Sequence, residues 1–135
     1  MSTSQTITAG VVLLTVIGIA YGGSFLLRVL SRTVPANDLQ RSYFRAGHAH
    51  AGVLVILGLV VMLLMAVAGV TGLFATLSMG VLWAAILMPA GFFLSVVGRD
   101  PEKPNGLRYL IYAGGLVLVV GVGSAGIGLI AAGIA

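Results

Sequence analysis

Four apolar runs, each about as long as a bilayer is thick, constrain this chain more than any other feature. A membrane helix needs about 20 apolar residues. Such runs extend from about Ile7 to Leu30, Ala46 to Val67, Leu73 to Val97 and Leu107 to Gly133. Only the uncharged stretch Ala68-Gly69-Val70-Thr71-Gly72 separates the second from the third, and so short a connection makes antiparallel neighbours. Of the 135 residues 59% are hydrophobic, and only seven basic and three acidic residues are present. A soluble domain carries about a quarter charged residues, so no water-exposed shell can be assembled here. That excludes a soluble enzyme, a nucleic-acid binder and a disordered regulator. The expected fold is all-α, a single domain over residues 1–135 forming an antiparallel four-helix transmembrane bundle.

The charges set the expected orientation. Arg28, Arg32, Arg41 and Arg45 flank the loop after the first span, and Arg99, Lys103 and Arg108 flank the loop after the third. Asp38, Asp100 and Glu102 share those loops. The other end, Met1 to Thr8, the turn near Gly72 and Gly133 to Ala135, has no charged side chain. By the positive-inside rule, loops 31–45 and 98–106 are cytoplasmic, both termini face outward, and the host is the inner (plasma) membrane. The leader Met1-Ser2-Thr3-Ser4-Gln5 lacks the basic start of a signal peptide, so the first span is expected to be an uncleaved anchor. Arg28 snorkels to the headgroups, since an arginine at the bilayer centre costs at least about 2.5 kcal/mol.

Small residues mark where the helices are expected to touch. Lipid tails are as apolar as leucine, so membrane helices associate through close backbone approach rather than through the hydrophobic effect. Gly18 and Gly22 form a G-x-x-x-G pair in the first span. Gly47, Ala51 and Gly58 line up in the second, and Ser124 and Gly128 in the fourth. Such stripes serve packing within one bundle or contact with another subunit. Pro89, in the middle of the third span, removes a backbone donor and is expected to kink its helix.

The densest polar information is Ser42-Tyr43-Phe44-Arg45-Ala46-Gly47-His48-Ala49-His50-Ala51-Gly52, at the charged end of the second span. Asn37 or Asp38 is expected to cap this helix. His48 and His50 stand about 200° apart around a helix, so one unbroken helix cannot aim both at one metal. His48 shares a stripe with Arg41 and Arg45; His50 shares one with Tyr43 and Gly47. Three uses fit: His50 as a hydrogen-bonding contact between helices, Arg41, Arg45 and His48 as a cradle for an anionic lipid headgroup, or one histidine as a haem or copper ligand or proton shuttle.

The chain offers little further chemistry. It has no cysteine, hence no disulfide, thiolate ligand or thiol nucleophile. No carboxylate lies inside a span, and there is no Ser-His-Asp set or phosphate loop. Met62 and Met65 lie roughly 20 Å along the helix from His48 and read as apolar filler.

The stretches Phe44 to Gly52 and Met88-Pro89-Ala90-Gly91-Phe92-Phe93-Leu94-Ser95 resemble those of small, uncharacterised bacterial four-span membrane proteins. That resemblance covers most of the chain and implies a fold but no activity. A weaker likeness is to small membrane mutases such as hydroxylaminobenzene mutase, in length and in a histidine near the start of a span. The surrounding residues differ, so it assigns no catalytic role. The histidine pair is also similar to haem–copper oxidase helices, whose further histidines are missing here. The expectation is therefore a non-catalytic membrane protein that assembles with itself or with a larger membrane complex and engages lipid. A membrane-embedded redox or isomerase enzyme using His48 or His50 is the alternative.

Overall fold

The computed structural model describes residues 1–134. Four spanning helical segments run Thr3–Leu30, Asp38–Val67, Gly72–Leu94 and Gly106–Ile134. The elements are α1 (Thr3–Leu30), α2 (Asp38–Val67), α3 (Gly72–Ser78), α4 (Gly80–Leu94) and α5 (Tyr109–Ile134), with a 3₁₀ turn at Gly106–Arg108 leading into α5. The chain is thus an all-helical, four-span transmembrane bundle. Both charged loops lie at one end and both described chain ends at the other.

Local signals explain the boundaries. Capping boxes start α1 (Ser2 with Gln5) and α2 (Asn37 with Gln40), each pair satisfying two otherwise free amides. Helix α2 ends in a Schellman turn: Gly69 adopts φ +67°, and the Val70 amide bonds the Met65 carbonyl at 3.0 Å. Glycine takes that left-handed conformation without a Cβ penalty. Helix α2 begins eight residues before the apolar run does, because its first two turns are the polar, capped segment from Asp38 to Arg45.

The third span is not one helix. It runs without interruption through buried Pro89 and breaks at Met79. The loss of one donor at Pro89 affects only the Ala85 carbonyl, whereas the break lies beside a close approach to α5. A Cβ on Gly80 would lie 2.8 Å from the Val117 carbonyl oxygen, and one on Gly121 would lie 2.7 Å from the Val81 amide nitrogen. The same seam continues through Gly91 against Ile111 and Gly114 against Met88. Helix α4 ends at Leu94, short of Val97, where donors from Asn105 and Gln40 meet the Leu94 carbonyl and those of the residues after it.

Helices α2, α4 and α5, with α3, enclose the core of Val61, Met65, Val81 and Ala125. Helix α1 packs against α2 alone, at its charged end. There Val29 is fully buried, and the Phe25 and Phe44 rings meet edge to face at 5.6 Å. No residue in the most apolar 18-residue stretch of α1 is buried. Towards the uncharged end α1 stands off from the bundle, leaving an apolar cleft of about 460 Å³ between Val11 and Thr15 on one side and Val55, Leu82 and Ile86 on the other.

Candidate functional site

The charged end is built by the two loops holding each other. Asn37, having capped α2 with its side-chain oxygen, donates through Nδ2 to the Asp100 carboxylate and the Pro101 carbonyl, both at 2.9 Å. Gln40 is buried at 7% exposure. Its Nε2 donates to the Val96 and Gly98 carbonyls, each at 3.1 Å. Asn105 bonds the Leu94 carbonyl through Nδ2 at 3.0 Å and the Ser95 carbonyl through its amide at 2.7 Å. The Leu94 carbonyl at the helix end and the Ser95, Val96 and Gly98 carbonyls beyond it are thus met by Asn105, through its side chain and its backbone amide, and by the Gln40 side chain. The sequence leaves Asn37 or Asp38 as the cap, and the structure has Asn37; Gln40 and Asn105 are not singled out by it. For Gln40 the available signal was the Asn-x-x-Gln capping-box spacing.

Beside this latch opens a cleft of about 770 Å³, lined by Ala36, Asn37, Gln40 and Arg41 from the start of α2 and by Arg99 and Asp100 from the second loop. Arg41 pairs through Nη1 with Asp38 at 2.8 Å, but the Asp38 side chain is 99% exposed. Such a surface pair contributes about 0–1 kcal/mol. Meanwhile Arg41 Nε is sealed from solvent with no hydrogen-bond partner, and an unmade buried hydrogen bond costs about 1–3 kcal/mol. The guanidinium is therefore under-satisfied where it stands. Arg45 is exposed a turn further on, and neither Arg45 nor His48 lines the cleft. Arg41 and Arg99 line one cleft, whereas Arg45 and His48, one and two turns along the same helix from Arg41, lie outside it.

The histidines face different helices. The His48 ring seats on the glycine step of α1: a Cβ on Gly22 would lie 3.6 Å from Nδ1, and one on Gly23 would lie 3.4 Å from Nε2. His50 instead lies over Phe92 of α4, ring centroids 5.0 Å apart. Tyr43 meets the same phenylalanine edge to face at 5.7 Å, and Phe44 stacks on Phe93 at 5.8 Å. His50 Nδ1 is 2.7 Å from the Ala46 carbonyl. A carbonyl only accepts, so Nδ1 carries the proton, and in the neutral ring the lone pair sits on Nε2. No three His, Cys, Asp or Glu side chains converge among the described residues.

Of the small residues singled out in the sequence, Gly47 abuts Phe92 and Phe93, Gly58 abuts Leu82, and Gly128 abuts Phe74 and Met65. Gly22 faces His48, whereas Gly18 has no neighbour within 4 Å. Ala51 borders the apolar cleft, and Ser124 is half-buried beside buried Ala125. Missed were Gly80, Gly91, Gly114 and Gly121. Three of the α5 glycines, Gly114, Gly121 and Gly128, recur every seven residues and are buried. That heptad spacing keeps one seam turned towards a partner helix.

A comparison of the chain with protein-family profiles, curated proteins and solved structures found no match.

Proposed function

We propose that this chain is a non-catalytic membrane subunit that self-assembles, with its first span as the element that engages a partner helix. The observation that carries this reading is the one-ended attachment of α1, which touches only α2 and has no buried residue along its most apolar stretch. Helices in lipid are held by backbone proximity. Gly10 and Gly18 of α1 offer bare backbone with no neighbour within 4 Å. A second copy supplies the missing helix, with a larger membrane complex as the other arrangement. The orientation proposed with it has the charged loops in the cytoplasm of a cell whose inner membrane holds the protein.

Native mass spectrometry from mild detergent tests this. Multiples of the protomer mass are expected, collapsing to single protomers on Gly18→Leu while Gly123→Leu, on the exposed face of α5, leaves them intact. Bare protomers from the unsubstituted chain would sink the reading.

One observation favours a second reading, in which His50 is a haem ligand in a redox protein. The Nδ1–H bond to the Ala46 carbonyl orients the ring and leaves Nε2 to bind, as metal-ligating histidines are commonly held. A Soret band in the purified protein, lost on His50→Ala, would establish it and displace the first reading.

A further inference from the structure

We infer that the cleft between the two charged loops is a binding site for a phosphate group, held by Arg41 and Arg99. Three independent features converge there. First, Arg41 from the start of α2 and Arg99 from the second loop line one cleft of about 770 Å³, large enough for a phosphoglycerol-sized headgroup. Planar guanidiniums match the paired oxygens of a phosphate. Second, Arg41 is incompletely bonded: Nε has no partner, and the one carboxylate it holds, on Asp38, is itself almost wholly in solvent. A modest rotation towards the cleft trades that weak pair for an anion that engages the whole guanidinium. Third, Ala36 and Asn37 bring the start of a 30-residue helix to the cleft wall, where its dipole is positive.

Asp100 is the carboxylate in the lining, and one of its oxygens is already taken by Asn37 Nδ2 at 2.9 Å. The latch also makes the cleft stiff, because Asn37 and Gln40, which line it, are each tied to the opposite loop. The cleft lies at the end of the bundle that holds every charged side chain of the chain, and such charged span ends are where basic side chains meet lipid headgroups. The same chemistry serves an anionic phospholipid headgroup or free phosphate. The cleft is formed within one chain and needs no assembly, so it stands or falls apart from the role of α1.

The test reconstitutes the protein in an equal mixture of phosphatidylcholine and phosphatidylglycerol and counts retained lipid by native mass spectrometry. Preferential retention of phosphatidylglycerol is expected. Arg41→Gln and Arg99→Gln should each reduce it roughly tenfold, the scale of one charge-assisted hydrogen bond. Arg45→Gln and Lys103→Gln remove equal charge outside the cleft and should change it little. Arg41→Lys keeps the charge but loses Nε, and should fall between.

A second arm follows the arginine Nε resonances of ¹⁵N-arginine-labelled protein in neutral detergent. If inorganic phosphate alone shifts the Arg41 and Arg99 signals, the site takes the free anion; if only phosphatidylglycerol does, it takes the headgroup. Equal losses from all four glutamine substitutions, or no preference for phosphatidylglycerol together with no shift of the Arg41 and Arg99 signals by inorganic phosphate, would overturn the inference. Should Arg41→Gln fail to fold, Arg99→Gln, at an exposed loop position, decides the matter.

Discussion

Gly121 and Gly18 are the same residue in the same kind of helix, yet a single methyl group separates them sharply. At Gly121 an added Cβ meets the Val81 amide nitrogen at 2.7 Å and the Gly80 carbonyl carbon at 3.0 Å. Those are backbone atoms, which cannot rotate away, so α4 and α5 must part. Gly121→Ala should destabilise the fold by about 1–3 kcal/mol, the usual cost of overpacking. At Gly18 nothing lies within 4 Å, and Gly18→Ala should change protomer stability by less than about 1 kcal/mol. Unfolding in mixed micelles of increasing denaturing detergent measures both. Equal costs would mean that the α4–α5 seam is not where the bundle is tight. At this scale the sequence was informative in part. Gly47, Gly58 and Gly128 stand out by helical spacing, but whether a glycine abuts a neighbour or a void depends on which helix lies opposite.

Helix ends carry as much of this structure as helix faces do. Helix α4 stops at Leu94 because the Leu94, Ser95, Val96 and Gly98 carbonyls find donors in Asn105 and Gln40. Those two side chains link the second loop to the start of α2 and back to α4, fixing the end of the bundle where the cleft lies. Gln40→Ala removes donors from two carbonyls, one of them in a buried position, and should cost about 1–3 kcal/mol. It should also speed amide hydrogen exchange at Asn105, whose N–H bonds the Ser95 carbonyl. Unchanged exchange there would show that the loop holds its shape without Gln40. A glutamine three residues after an asparagine cap is a legible capping signal. That its amide also reaches the second loop, 56 residues away at Val96, is not written locally.

The whole molecule is a three-layered asymmetry: a tight assembly of α2, α4 and α5, a charged end clasped by two loops, and a first span fastened only at that end. Its orientation is open to a direct measurement, because the chain has no cysteine and any introduced thiol is the sole reporter. A membrane-impermeant maleimide should label Thr71→Cys in intact cells and Lys103→Cys only after lysis. The reverse pattern would put the charged loops outside, against the positive-inside rule.

Segment number, segment type and the segregation of charge to one end were legible in the sequence, because each rests on a local property: a run of apolar residues long enough to cross lipid, or a loop too polar to enter it. The stagger of His48 and His50 follows from 3.6 residues per turn alone, although which helices they meet, α1 and α4, does not. The break at Met79, the stand-off of α1 and the cleft that Arg41 and Arg99 line together were decided by the tertiary structure. Each depends on the distance between segments far apart in the chain. In a bilayer no hydrophobic gradient tells a helix which face to bury, so apolar periodicity carries little information there, and backbone fit and hydrogen-bond completion make the choice.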